Sequence, residues 1–152
     1  MNENTEIRIV LEEDELGYAQ AAARKWKVDL EIVAEPQVIE PVTAILVAGG
    51  ALLVGKFVVD LIDRLRGGVL IDLRPDAKDF IKRRRGVPYG WALIRSADGK
   101  EVKIETHDAP KDAAERLLGQ IIEGVLKSAT EIAKVAREAL GDDKVQEQPE
   151  AA

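Results

Sequence analysis

Apolar and polar side chains alternate along several stretches of the chain with the two-residue period of a half-buried strand. In the first of these stretches, Ile7, Ile9 and Leu11 share one face. This pattern, together with one short apolar run, predicts strands over 6–12, 26–33, 69–74, 89–96 and 101–106. Asp98 and Gly99 lie between the last two and predict a tight hairpin, because both residue types tolerate a positive φ. A small sheet is therefore expected.

Helical spacing of apolar residues fills the intervals between these strands. Two short helices are predicted over 13–25 and 76–85. A longer helix covers 42–66 and ends at a pair of glycines, and the longest covers 110–140, with a proline in its first turn and a glycine after its end. The order predicts one α/β domain over 1–141. It has a small mixed sheet of about five strands, one Gly/Ala-rich apolar helix and one long C-terminal amphipathic helix.

The composition limits the chemistry that the chain can carry. Its 152 residues suit one domain, and the polar residues 142–152 predict a disordered acidic tail. The absence of cysteine excludes disulfides, thiolate nucleophiles and thiolate metal sites. The one histidine, His107, excludes a site of several histidines, and it is interpreted as a surface residue, with a catalytic base as the alternative. No catalytic residue, metal or cofactor is predicted.

The charge balance bears on partners and location. A net charge of −6 works against non-specific binding of nucleic acid over the whole surface, although it is compatible with a local basic patch. No aromatic platform for RNA accompanies the basic run at 82–85, and no specific nucleic-acid partner is predicted. The stretch 1–15 is polar and acidic and lacks the pattern of a secretory signal. A cytoplasmic location is therefore expected, with membrane association as the alternative.

The predicted helix over 42–66 is strongly apolar and rich in small residues. The small residues recur at spacings that allow close approach of another helix; they are Ala44, Ala48, Gly49, Gly50, Ala51 and Gly55. The uninterrupted apolar run ends before Lys56 and is shorter than the roughly 20 residues of a membrane span. Three interpretations stay open: a helix of the domain core, an oligomerisation helix, and a span over 42–59 whose Lys56 reaches the membrane boundary.

The predicted C-terminal helix carries apolar residues in a near-heptad row. Four of them mark the face on which a partner helix is expected to pack: Leu118, Ile121, Val125 and Ile132. Together, the two long helices present more apolar surface than a thin sheet can cover. The chain is therefore expected to form a homo-oligomer.

Four consecutive basic residues, Lys82, Arg83, Arg84 and Arg85, end the second short helix. A solvated helix end is the simpler interpretation, because cations stabilise a helix C-terminus. The alternative is a basic patch that contacts phosphates of nucleic acid or of an anionic membrane.

The order of elements resembles that of a known family. Three segments carry the resemblance: EIRIVLEE (6–13), AILVAGGALLVGKFVVDLIDRLR (44–66) and SADGKEVKIE (96–105). Over about residues 6–105 the chain is similar to the effector-associated constant-component family of bacterial conflict systems, whereas 75–91 and the C-terminal helix depart from it. The resemblance implies a small non-catalytic accessory module that works beside an effector such as a protease, and it implies no catalytic residues.

One leading hypothesis and two alternatives follow. The leading hypothesis is a non-enzymatic accessory or interaction module that self-associates or docks a partner effector. The first alternative is a membrane-associated component with 42–59 in the bilayer and the basic run on lipid headgroups. The second is a small-ligand-binding protein, or an enzyme, whose pocket lies between sheet and helices.

Overall fold

The computed structural model describes residues 5–33, 42–66, 68–126 and 128–148. Within these residues the α/β class is confirmed, but the prediction of about five strands and two long helices is wrong. The described residues form four α-helices: α1 (Leu16–Trp26), α2 (Ala51–Leu65), α3 (Lys111–Ile122) and α4 (Ala129–Leu140). They also form eight strands of one sheet: β1 (Thr5–Glu12), β2 (Asp29–Val33), β3 (Val42–Gly49), β4 (Val69–Asp72), β5 (Ile81–Arg83), β6 (Trp91–Arg95), β7 (Glu101–Glu105) and β8 (Val145–Gln148).

The strands form a mixed sheet in the order β2-β3-β1-β5-β4-β6-β7-β8. Two neighbouring pairs are parallel, β1 with β5 and β4 with β6, and the other pairs are antiparallel. One half of the sheet, β2-β3-β1, precedes α2 in the chain, and the other half follows it. The halves join along a short seam, where Ile9 lies opposite Ile81 and Val10 opposite Lys82.

The predicted helix over 42–66 is wrong in its first third, which is strand β3. This strand pairs with β1 on one side and with β2 on the other. Both faces of β3 are apolar, because Leu46 and Ala48 alternate with buried Ile45 and Val47, and periodicity alone cannot distinguish such a run from a buried helix. Gly50, with a φ of −62° and a ψ of 146°, is the extended N-cap after which α2 begins. Among the described residues, no helix has the length and apolar character needed to cross a bilayer.

The predicted helix over 110–140 is two helices. α3 is followed by Gly124, whose φ of +79° is a left-handed conformation that costs glycine little. α4 begins after Ser128, whose hydroxyl accepts a hydrogen bond from the Glu131 backbone N–H at 3.1 Å. The Glu131 carboxylate accepts one in return from the Ser128 backbone N–H at 3.3 Å, which completes a capping box. A helix start therefore interrupts the near-heptad row.

Residues 142–148, part of the predicted disordered tail, form ordered structure. A 3-10 turn (Asp142–Lys144) leads into β8, which pairs with β7 and places Val145 opposite Ile104. Three of the four residues of β8 are polar, and Val145 is the apolar one. Val145 is buried, whereas Gln146 and Glu147 are exposed. The remaining residues of the predicted tail, 149–152, lie outside the described residues.

Two further element boundaries differ from the prediction. Instead of a short helix over 76–85, the chain forms an irregular segment over 76–80 and then β5. The helix predicted to end at residue 25 runs on through Trp26, and the following strand begins at Asp29. The Trp26 indole N–H donates to an Asp60 carboxylate oxygen of α2 at 3.1 Å, a tertiary contact that holds this residue against the helix layer.

All four helices pack on one face of the sheet. Their buried apolar residues form one cluster with strand residues of that face, among them Ile9 and Ile94. Ala44, Leu70 and Leu93 are also buried, but they lie at the alternate strand positions and outside this cluster. The described chain is therefore a two-layer α/β sandwich, and the second face of its sheet carries no described helix.

Candidate functional site

A cleft of about 1000 Å³ lies at the carboxyl ends of β1 and β5. It is lined by the end of β1, by Glu13 and Asp14 after it, by Arg66 and Gly68 after α2, and by residues 82–87. The parallel strands β1 and β5 are neighbours, and the chain leaves them in opposite directions, towards β2 and towards β6. Such a switch point leaves a crevice outside the strand ends, where ligands bind in open α/β sheets. We call this cleft the switch-point crevice.

The predicted basic patch lines this crevice, but its members differ in environment. They end no helix, because Lys82 and Arg83 belong to β5 and point to opposite faces of the sheet. The Arg83 guanidinium lies 3.1 Å from a Glu15 carboxylate oxygen and donates to a backbone carbonyl at 3.3 Å. Lys82, Arg84 and Arg85 form no ion pair with any residue that the structure describes. Arg83 therefore supports the fold, and the other three are available to a ligand.

Arg83→Gln is expected to lower the free energy of unfolding by about 1–2 kcal/mol, because it removes a partly buried ion pair and a hydrogen bond. Arg84→Gln removes the same charge from an exposed side chain and is expected to change that free energy by less than about 0.5 kcal/mol. Urea denaturation of both variants measures the difference. Equal losses would contradict the distinction between the two arginines.

A second cleft, of about 510 Å³, shares Asp14 and Arg66 with the switch-point crevice. Two tyrosines line it, Tyr18 of α1 and Tyr89 of the loop before β6, and their exposed fractions are 48% and 49%. Half-exposed aromatic rings offer planar surfaces on which a flat ligand can stack. We call this region the tyrosine cleft.

His107 lies beside the tyrosine cleft, after the end of β7. Its Nδ1 is 2.9 Å from an Asp63 carboxylate oxygen of α2 and 3.4 Å from the Tyr89 hydroxyl. The His107 backbone N–H donates to the Gly90 carbonyl at 3.2 Å, and a Cβ at Gly90 would lie only 2.8 Å from that of His107. The imidazole is thus fixed in position, with 41% of its side chain exposed. The described residues contain no group of three His, Cys, Asp or Glu side chains able to hold a metal ion.

The open face of the sheet carries two buried leucines between two lysines. Leu70 of β4 and Leu93 of β6 lie opposite each other. Lys82 lies opposite Leu70, and Lys103 of β7 lies opposite Leu93. Trp91 precedes Leu93 by two residues and shares its face, and the Lys103 Nζ is 5.9 Å from the centre of the indole ring. We call these five residues the lysine strip.

A row of paired charges borders the lysine strip. The Asp72 carboxylate accepts hydrogen bonds from the Arg74 side chain at 3.0 and 2.8 Å and from the Arg74 backbone N–H at 3.1 Å. Arg95 lies 3.7 Å from Asp72 and donates to Glu101 at 2.7 Å. Burial by itself raises the pKa of Asp72, but the hydrogen bonds from Arg74 and the charges of both arginines outweigh it, so the pKa lies below its ordinary value. The charges of this row are therefore satisfied within the chain.

The small residues predicted to mark a helix contact are divided between two elements. Ala44, Ala48 and Gly49 lie on β3, Gly50 is the N-cap of α2, and Ala51 and Gly55 lie on α2. At Gly55, α2 crosses α3 closely: a Cβ there would lie 2.8 Å from the Glu115 carbonyl oxygen and 2.9 Å from the Gly119 nitrogen. At Gly50, nothing lies within 4 Å of such a Cβ. The close helix approach is thus one between two helices of the same chain.

The apolar residues predicted to face a partner helix lie on both sides of the break between α3 and α4. Leu118, Ile121 and Ile132 are buried in the core of their own chain. Val125 lies in the connecting segment and is 60% exposed. The apolar surface from which a homo-oligomer is predicted is therefore largely covered within the chain, and self-association stays a prediction.

The lysine strip and the tyrosine cleft are the features that the sequence pattern does not indicate. Each depends on which strands and loops become neighbours, and that pairing connects residues far apart in the chain. For the lysine strip, one partial signal exists in the sequence: the alternation in β7 places Lys103 on the face opposite to buried Val102 and Ile104.

Comparisons with known proteins do not identify these sites. No protein-family model, no curated protein and no solved structure matches the chain. The sites are therefore interpreted from the chemistry of their own residues.

Proposed function

We propose that this chain is a non-enzymatic accessory module that docks a partner effector protein on the open face of its sheet, at the lysine strip. Leu70 and Leu93 are buried on this face, which no described helix covers. The resemblance of residues 6–105 to the effector-associated constant-component family of bacterial conflict systems, which rests on the sequence alone, implies a module of the same kind.

The observation that carries the proposal is the contrast between the strip and its border. Asp72, Arg74 and Arg95 satisfy one another's charges, whereas Lys82 and Lys103 form no ion pair with any described residue. The two lysines lie on strands three spacings apart, a separation of about 14 Å. A partner with two carboxylates at this separation, on either side of an apolar side chain, complements both ammonium groups and the indole beside Lys103.

The partner is expected to be a different protein and not a second copy of this chain. In a two-fold symmetric contact centred between Leu70 and Leu93, Lys82 of one copy would face Lys103 of the other. Opposed like charges destabilise such a contact. An acidic partner surface avoids this repulsion.

The test is calorimetric titration of the purified chain with each protein encoded by the genes adjacent to its own. Lys103→Glu is expected to weaken the binding of the partner by about tenfold or more, because it reverses a charge in the contact. Lys134→Glu makes the same change on the exposed side of α4, in the other layer, and is expected to leave the affinity within about twofold. Circular dichroism of both variants confirms that they fold.

Three outcomes would contradict the proposal. In the first, none of these neighbouring proteins binds the wild-type chain. In the second, Lys103→Glu binds as tightly as Lys134→Glu. In the third, light scattering finds a wild-type dimer that Lys103→Glu dissociates, which would assign the lysine strip to a second copy.

A further inference from the structure

We infer that the switch-point crevice and the tyrosine cleft together bind a nucleoside phosphate, with the phosphates in the crevice and the base in the cleft. The inference goes beyond the docking function and does not depend on it. Lys82 belongs to both regions, because it lines the crevice and lies in the lysine strip, so its substitution is left out of both tests.

The first support is the position of the crevice in the sheet. The sheet has a second switch point at its opposite end, between β4 and β6, with a cleft of about 600 Å³. There the carboxylate of Asp72 is paired with Arg74 and Arg95. Several other lining residues are apolar, among them Phe80 and Leu126. The switch point between β1 and β5 is therefore the one that offers unpaired cations to a ligand.

The second support is the charge of the crevice. Four of its lining cations form no ion pair with any described residue: Arg66, Lys82, Arg84 and Arg85. Three carboxylates line it as well: Glu12, Glu13 and Asp14. Guanidinium groups match phosphate oxygens in charge and geometry, and carboxylates accept hydrogen bonds from sugar hydroxyls. A phosphorylated sugar carries phosphate oxygens for the cations and hydroxyl groups for the carboxylates within one molecule.

The third support is the pair of tyrosines next to these charges. Tyr89 packs against the His107 ring at 4.8 Å between centroids, which limits its motion. Tyr18 lines the same cleft, and Arg66 lines both this cleft and the crevice. Any of the bases can stack on a tyrosine ring, because every base has an aromatic face. A ligand that places phosphates in the crevice and an aromatic ring in the cleft is a nucleotide. The net charge of −6 disfavours a long polyanion such as a nucleic acid.

The test is calorimetric titration of the full chain with ATP, pyrophosphate and adenosine at low ionic strength. ATP is expected to bind most tightly, and pyrophosphate and adenosine each about tenfold or more weakly. Arg84→Gln combined with Arg85→Gln is expected to weaken ATP and pyrophosphate alike by about tenfold. Tyr89→Ala is expected to weaken ATP by about tenfold and to leave pyrophosphate unchanged.

The matched control combines Arg116→Gln with Lys134→Gln, which removes the same charge from exposed positions of α3 and α4. The inference is overturned if millimolar ATP does not bind, or if the control weakens ATP as much as the double arginine variant does. The assignment of a nucleotide would be overturned if ATP and pyrophosphate bind with equal affinity and neither Tyr18→Ala nor Tyr89→Ala changes the affinity for ATP. That result would leave a simple phosphate site. None of these results bears on the docking proposal, which is tested at Lys103.

Discussion

Gly55→Ala is expected to lower the free energy of unfolding by about 2 kcal/mol or more, although alanine is a better helix former than glycine by about 1 kcal/mol. The added methyl group would lie 2.8 Å from the Glu115 carbonyl oxygen and 2.9 Å from the Gly119 nitrogen. Both are backbone atoms of α3, so relief requires the helices to move apart and disturbs the core between them. Urea denaturation of the variant measures the loss.

Two glycine substitutions serve as matched controls. A Cβ at Gly119 would meet its nearest atom, the Ala51 carbonyl oxygen, at 3.5 Å, which is an ordinary contact. A Cβ at Gly17 of α1 would have no atom within 4 Å. Alanine at either position is expected to be neutral or to stabilise the chain by up to about 1 kcal/mol. A Gly55→Ala variant as stable as these controls would contradict the described crossing of α2 and α3.

Asp72→Asn is expected to lower the free energy of unfolding at pH 7 by about 2 kcal/mol. The substitution keeps the shape but removes the charge of a side chain that is 1% exposed and accepts three hydrogen bonds from Arg74. It leaves Arg74 and Arg95 without their shared partner. This loss of stability is smaller than for a fully buried ion pair, because the Arg74 guanidinium is partly exposed and can hydrogen-bond to water in the variant.

The same pair gives the stability a defined dependence on pH. The pKa of Asp72 is lower in the folded chain than its ordinary value of 3.8. A carboxyl of this kind contributes its full stability above its unfolded pKa and loses it as the pH falls through the folded one. The gap between wild type and Asp72→Asn is therefore expected to be constant from about pH 7 to pH 5 and to close below about pH 4. A gap that stays constant down to about pH 2 would contradict the pairing.

The sequence predicts the strands with clear alternation and misses those without it. β1 and the hairpin of β6 and β7 lie where alternation and Asp98-Gly99 place them. β3 is missed because both of its faces happen to be apolar, so its residues show no alternation. β5, at Ile81–Arg83, and β8 are missed because they are short and polar. Neighbouring strands and not local propensity stabilise such segments.

The candidate sites are less predictable than the elements. The basic run is visible in the sequence, but only the pairing of Lys82 with Val10 shows that it lies at a strand end. Small residues indicate a close helix contact, yet the sequence does not show that Gly55 meets Gly119 of the same chain. Both contacts join residues distant in sequence, and no local pattern encodes such a distance.

The seam between β1 and β5 has a consequence for the motions of the chain. It is only two residue pairs long, and each half of the sheet on either side is contiguous in sequence. Regions with few shared backbone hydrogen bonds separate cooperative units of local opening. We expect amide hydrogen exchange to distinguish a unit built on β2, β3 and β1 from one built on β4, β6 and β7. The switch-point crevice lies at the end of this seam and takes residues from both units, so a molecule bound there would slow the exchange of each.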